Sequence, residues 1–283
     1  MIKQTLSNDK PVMSVIVEKW EECFETYCYK IKLPVKIQSA KPGQFIMLWV
    51  PGEDEYPIGI AGLKDSILEV GIAKMGPGTE AMHKKEVGDL VGIRGIYGKP
   101  FTPPEDVNHL LIGGGFGMTP LKLLTEVLIA NENKQTIHVF EGARSKNRLM
   151  YFEWLQDLHD QGKINFHVCT DDGSQGYQGF PTVDLEKFLQ ESETSSVIYA
   201  AGPEKMMKVI FDIGKDYPKV VDMQMSLADR YMRCGFGACS YCAVDPTGWR
   251  ICVDGPVFNT EKLEQISDFG VYKRLETGEK KRI

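Results

Sequence analysis

The stretch His109-Leu-Leu-Ile112-Gly113-Gly114-Gly115-Phe116-Gly117-Met118-Thr119-Pro120-Leu121 decides the fold. An apolar run enters a glycine turn, and a second apolar run leaves it with helical spacing. Thr119 stands where an N-cap belongs, and Pro120 suits the first helical position. A helix that begins there offers free N–H groups and the positive end of its dipole to a diphosphate. The run is not a G-x-G-x-x-G fingerprint, because Met118 occupies the last position. The bland alternative is that Gly113, Gly114, Gly115 and Gly117 only let strand and helix approach closely.

Outward from this turn, toward the C-terminus, the pattern alternates. Helices are predicted at 119–130, 148–158, 183–189 and 204–213, and strands at 136–140, 164–170 and 197–201. Alternating strands and helices imply a parallel sheet covered on both faces. Two more turns fall at the carboxyl ends of its strands, where open α/β sheets bind ligands. One carries Asp171 and Asp172, the other Gly202 and Pro203. Arg144 and Ser145 follow the second strand, where a ribose 2′-phosphate is often read, so NADP stands beside NAD(H); a plain surface arginine is the alternative.

Toward the N-terminus the reading changes. Short β-rich segments at 12–19, 26–33, 45–50, 67–71 and 90–93 are separated by Pro-Gly turns, the pattern of a β-barrel or sandwich. One helix is predicted at 79–85, with Thr79 as its N-cap. From Asp222 onward periodicity fades and glycine and cysteine take over. The expected organisation is a β-barrel domain over 1–104, an α/β domain over 105–221 and a small module over 222–283.

That module holds four of the seven cysteines, spaced Cys234-x4-Cys239-x2-Cys242-x9-Cys252. The first two spacings match the loop that wraps a plant-type 2Fe–2S cluster, with the fourth cysteine further on. Gly235 and Gly237 are free to take positive φ and turn N–H groups toward the sulfurs. A structural zinc site is the competing reading, although it usually takes two close pairs. Cys23, Cys28 and Cys169 lie far away in sequence and read as small buried hydrophobes.

The bulk numbers leave room for all three parts: 283 residues, 42% hydrophobic, 25% charged, net charge −6. No basic block points to nucleic acid or an anionic membrane. No apolar run is long enough to span a bilayer, and residues 1–10 carry no signal-peptide core, so the reading is cytoplasmic.

In this order the motifs resemble the ferredoxin–NADP reductase superfamily, and within it the electron-transfer subunits of two-subunit dihydroorotate dehydrogenases. The resemblance covers nearly the whole chain and is sharpest from Arg230 through Cys242 and on to Phe258. It implies a 2Fe–2S cluster on Cys234, Cys239, Cys242 and Cys252, an FAD in the barrel, NAD(H) on the α/β domain, and an FMN-containing dihydroorotate dehydrogenase catalytic subunit as partner. Carried over residue by residue, the flavin stretch falls on Tyr56, Pro57, Ile58 and Gly59, a second strand on Gly71, Ile72 and Ala73, and a Gly-Thr pair on Gly78 and Thr79. Tyr56 stands where the family has arginine, Gly59 where it has serine, and Ala73 where it has a second arginine. Backbone N–H groups around 76–79, or Lys74, are the remaining donors. Related reductase subunits of hydrogenases, sulfide dehydrogenases and transhydrogenases share these motifs. A zinc-stabilised nucleotide-binding protein is the alternative of another class.

Overall fold

The computed structural model describes residues 10–37, 39–131 and 135–283; residues 1–9, on which most of the leader reading rests, lie outside these.

Seven antiparallel strands build the first unit: β1 (Val12–Cys23), β2 (Thr26–Lys32), β3 (Phe45–Trp49), β4 (Glu55–Gly59), β5 (Gly62–Lys64), β6 (Ile67–Ala73) and β7 (Leu90–Tyr97). Their order is β4-β3-β7-β1-β2-β6-β5. The sheet curls so that β4 returns alongside β6 without a ladder between them. In β2 and β6, alternate apolar side chains turn inward: Ile31, Leu68, Val70 and Ile72 share one core with Ile46 and Leu48 of β3.

The helix of this unit, α1 (Pro77–His83), starts two residues before the predicted Thr79. Gly76 is the N-cap. Thr79 sits one turn in, and its Oγ1 reaches back to accept the N–H groups of Met75 (2.8 Å) and Gly76 (3.0 Å). A hydroxyl one turn inside a helix can serve those donors as well as one at the cap itself.

The second unit contains β8 (Asn108–Gly114), α2 (Met118–Ala130), β9 (Ile137–Ala143), α3 (Phe152–Asp160), β10 (Asn165–Thr170), β11 (Tyr177–Gln178), α4 (Pro181–Glu191), β12 (Ser196–Ala201), α5 (Glu204–Lys215) and β13 (Val220–Ser226). The order β11-β10-β9-β8-β12-β13 is parallel throughout. It reverses direction between β8 and β12, which defines the switch point where such sheets bind ligands.

Two helix starts differ from the sequence reading. A 3₁₀ turn over Gly115–Gly117 runs straight into α2, so Gly117, already helical, is the cap and Thr119 lies inside the helix. The helix predicted at 148–158 waits until Phe152, because Tyr151 takes φ +58° and breaks the path from the 3₁₀ turn Lys146–Arg148.

The fading of periodicity at Asp222 falls within β13, a strand the sequence reading missed, which continues to Ser226. Beyond it come α6 (Ile251–Asp254), β14 (Val257–Phe258), α7 (Thr260–Leu263), and the hairpin of β15 (Tyr272–Arg274) and β16 (Lys280–Arg282). β14 joins β13 antiparallel, so the C-terminal module extends the parallel sheet. Its apolar residues Val244, Ile251, Phe258, Leu263 and Ile266 share one core with Ile198, Met207 and Phe211 of the α/β layer and with Phe45 and Met47 of the barrel. Among the described residues no helix is long and apolar enough to cross a membrane.

Candidate functional site

The glycine turn and the β12 turn meet at the switch point. A Cβ on Gly117 would lie 2.3 Å from the Ala201 carbonyl oxygen, one on Gly114 2.8 Å from Pro203 Cδ, and one on Gly202 3.0 Å from the Gly114 nitrogen. These three glycines let the two loops approach closely, and Gly113 makes room for the Met118 side chain. Gly115 differs: its φ is +53° and nothing lies within 4 Å of its Cβ position, so its backbone faces open space.

The turns after β9 and β10 are laced together along the same edge. Asp171 N donates to the Ala143 carbonyl (3.0 Å), Asp172 N to the Arg144 carbonyl (3.3 Å), and Lys146 N to Ser174 Oγ (2.7 Å). Hydrogen bonds from the Ser174 hydroxyl and N–H hold the Asp172 carboxyl below its ordinary range. Two exposed carboxylates thus stand beside Arg144 at the rim.

On the barrel side, Tyr56, Pro57, Ile58 and Gly59 form β4, half-buried and opposite β3. The Tyr56 hydroxyl donates to the Gly78 carbonyl (3.1 Å), and burial pushes this phenol well up. Its ring leaves no room for a Cβ on Gly78, which would lie 2.8 Å away. Where the family has a charged donor, this chain therefore has a tyrosine engaged on its own backbone. A Cβ on Gly59 would meet only Pro120 Cδ, at 3.8 Å, leaving a shallow recess between β4 and the start of α2. A Cβ on Gly71 would lie 3.0 Å from Thr119 Oγ1 and 3.1 Å from the Tyr151 hydroxyl, so the barrel touches the α/β unit there. Ile72 is in the barrel core, paired with Tyr27 of β2, and its carbonyl meets His83 Nε2 at 2.8 Å. Ala73 closes β6, and Lys74 pairs with Glu80 at 3.8 Å.

Thr119 Oγ1 is buried beside the Tyr151 hydroxyl and makes no hydrogen bond of full geometry. Two buried hydroxyls at the seam of the two units, near the open side of Gly59, fit a polar-rimmed flat group lying between barrel and α/β sheet. The residues present accommodate a flavin, although they supply no arginine at the Tyr56 and Ala73 positions.

The cysteine loop is shaped by Gly235 (φ +82°) and Gly237 (φ +88°). A Cβ on Gly235 would lie 2.7 Å from Met47 Cγ, so the loop sits directly on β3. Burial pushes the Cys234 thiol up, but N–H groups of Cys239, Phe236 and Ala238 point at it and hold it down at about 7. The thiols fall into two pairs. Cys239 stands beside Cys234 and helps hold its thiol down, and Cys242 Sγ lies 3.5 Å from Cys252 Sγ. Within the second pair the shared hydrogen bond holds the Cys242 thiol down, at about 6, and pushes Cys252 up.

Among the described residues no three His, Cys, Asp or Glu side chains converge on a single ion. Zinc requires four ligands around one point. Two pairs, each able to hold one iron, fit a 2Fe–2S cluster better. Cys169, buried in the sheet, is pushed up by burial to about 12, as expected of an inert core thiol, whereas Cys23 is only half-buried and is pushed up to about 11.

Sequence reasoning missed the buried charges that frame this site. Arg94 of β7 pairs with Glu55 of β4, and Arg230 with Glu204 and Asp268. A lone charge within the apolar run of β7, and an arginine four residues before the first cluster cysteine, were the available signals.

An antiparallel barrel joined to a parallel nucleotide sheet is the ferredoxin reductase architecture, and solved structures agree. The structure titled "Insights into flavin-based electron bifurcation via the NADH-dependent reduced ferredoxin-NADP oxidoreductase structure" superposes with a TM-score of 0.76 at 26% identity, covering 95% of each chain. Phthalate dioxygenase reductase shares the fold at a TM-score of 0.62 and 16% identity, over 74% of this chain and 65% of its own. The family model "Iron-sulfur cluster binding domain of dihydroorotate dehydrogenase B" matches residues 229–264, and "Oxidoreductase NAD-binding domain" matches 111–212. A relative from Methanocaldococcus jannaschii, named "Probable dihydroorotate dehydrogenase B (NAD(+)), electron transfer subunit", is 38% identical over 96% of this chain and 98% of its own. One from Methanopyrus kandleri with the same name is 38% identical over 95% and 97%. The chain belongs to the family of dihydroorotate dehydrogenase B electron-transfer subunits.

Proposed function

We propose that this chain is the electron-transfer subunit of a cytoplasmic dihydroorotate dehydrogenase. It relays electrons between NAD(H), FAD and a 2Fe–2S cluster and an FMN-containing catalytic subunit, in the service of pyrimidine synthesis. The observation that carries this reading is the pair of thiol pairs in a glycine-shaped loop, aimed at by backbone N–H groups and seated on the barrel strand next to β4. When bound, a flavin takes two electrons from a nicotinamide as hydride and yields them one at a time, and a 2Fe–2S cluster takes them singly.

The chain's own residues position and exclude. Cys234, Cys239, Cys242 and Cys252 are the cluster ligands. Pro57, Ile58 and Gly59, with Gly71 and the Thr119 hydroxyl, line the flavin recess, and Gly78 and Thr79 shape the turn beside it. The open backbone at Gly115 and the rim at Asp171 and Asp172 receive the nucleotide. Carboxylates beside Arg144 repel a 2′-phosphate, which favours NAD over NADP. The units divide at about residue 104 and after Ser226, where β13 ends, with the β13–β14 ladder as the continuous join.

The test is an anaerobic preparation with iron, sulfide and flavin assays and a visible spectrum. Flavin and 2Fe–2S absorption that bleaches on NADH addition is expected. Cys252→Ser loses the cluster bands, and Cys169→Ser keeps them. A colourless, zinc-containing protein overturns the reading.

One further reading has an observation in its favour. The match over 95% of both chains to the structure of an NADH-dependent reduced ferredoxin–NADP oxidoreductase is equally compatible with a different catalytic partner. Co-purification of an FMN protein that oxidises dihydroorotate separates the two.

A further inference from the structure

Between β4 and the cysteine loop stands one buried guanidinium. Arg94 Nε donates to Glu55 Oε1 (2.7 Å) and Oε2 (3.1 Å), and Nη2 donates to Glu55 Oε2. Nη2 also donates to the carbonyl of Cys234 (3.2 Å), and Nη1 to the Tyr97 hydroxyl (3.3 Å). The guanidinium carbon lies 5.7 Å from the Phe236 ring centre. Its side chain is 7% exposed and that of Glu55 21%. Glu55 immediately precedes Tyr56, the first residue of the flavin stretch, and Cys234 is the first cysteine of the cluster loop. One side chain therefore grips both cofactor elements, and only a planar fork with several donors can do so.

We propose that Arg94 is a positioning residue that locks the cluster loop to the flavin strand, and that the Arg94–Glu55 pair sets the cluster's reduction potential. The inference rests on the proposed 2Fe–2S site. Reduction adds one negative charge to the cluster. A guanidinium bonded to the backbone of a ligand residue favours that charge, and a carboxylate opposes it. Both act with reduced solvent screening because Arg94 is buried and Glu55 is half-buried. As a pair they largely cancel, so removing one exposes the field of the other. The assignment makes a signed prediction that a purely structural role does not.

The experiment is a redox titration of the anaerobically purified full chain, followed by the electron paramagnetic resonance of the reduced cluster. Arg94→Met leaves Glu55 alone and lowers the potential. Glu55→Gln leaves Arg94 alone and raises it. Each shift is expected to be about tenfold in the oxidised-to-reduced ratio, or about 59 mV for one electron. Arg94→Lys keeps the charge and stays near wild type, and with Glu55→Gln it decides the matter where Arg94→Met fails to assemble a cluster. Potentials that do not move, or that move in the same direction in Arg94→Met and Glu55→Gln, overturn the inference while leaving the cluster reading intact. A wild-type chain without a 2Fe–2S signal overturns both.

Discussion

Gly115 and Gly117, two positions apart in one turn, make different demands. Gly117 has an ordinary helical backbone, φ −60°, and a Cβ there would meet the Ala201 carbonyl oxygen at 2.3 Å. Gly115 has open space but a left-handed backbone. Gly117→Ala is therefore a purely steric lesion and costs about 3 kcal/mol, the upper end of overpacking, because rigid backbone must move. Gly115→Ala pays only the left-handed penalty of about 1–2 kcal/mol. Urea denaturation of the two variants checks the order. Nucleotide affinity is expected to fall in both, since one displaces the β12 turn and the other crowds the open backbone. At this scale the sequence was informative but ambiguous. A glycine run announces a special turn, yet whether each glycine serves φ, packing or ligand depends on what stands opposite, and Ala201 and Gly202 are over eighty residues away.

Elements were legible where periodicity was strong and blurred where a local device overrode it. The alternation from β8 through α5 could be read from the chain, whereas the parallel strands β11 and β13 were missed. The starts of α1, α2 and α3 could not, because a threonine serves as a back-reaching acceptor, a 3₁₀ turn feeds a helix, and Tyr151 takes a left-handed turn. Side-chain pairing across strands was also hidden. His138 of β9 and His167 of β10 lie with Nδ1 and Nε2 3.2 Å apart, and the His167 ring stacks on Phe140 at 4.3 Å. Burial pushes both imidazoles down, His138 to about 4 with help from His167. The unfolded chain thus binds more protons than the native one between about pH 6.5 and pH 4, so stability is full above that window and falls as pH drops through it. The loss traceable to His138 is about 1 kcal/mol, discounted because the ring is partly exposed. His138→Phe, which keeps a ring against Phe188, should give a flatter melting temperature over that range. An unchanged slope would place the acid sensitivity elsewhere.

At the scale of the whole molecule, polar ties hold the units in register, and three of them show each of the three pairings. The β1–β2 hairpin tip enters the α/β unit, where Phe24 N donates to the Asn147 carbonyl (2.7 Å) and Glu22 accepts Tyr151 N (2.9 Å). Arg94 joins barrel to cysteine loop. Arg230 joins the cluster module to the α/β unit: its Nε donates to Glu204 Oε2 (2.9 Å), its Nη2 to the Asp268 carbonyl (3.1 Å), and its Nη1 lies 3.0 Å from Asp268 Oδ1. Burial alone would push this guanidinium down, but the two carboxylates hold it up, so it is charged at any working pH. Glu204 opens α5 directly after the Gly202-Pro203 turn, and also accepts Gly270 N (2.8 Å). The residues expected to hold the nucleotide and those expected to hold the cluster are therefore coupled through one arginine. Removing it strands two buried carboxylates. Arg230→Met should cost about 3–5 kcal/mol, against under 1 kcal/mol for breaking an exposed pair such as Lys208–Asp212. The lesion lies at the seam between units, so the loss should appear first as early opening of the C-terminal module. Limited proteolysis is expected to cut after Ser226 while the parallel sheet still resists. Simultaneous loss of both units would mean that the shared core around Phe258 and Phe211, and not the arginine, sets the cooperativity.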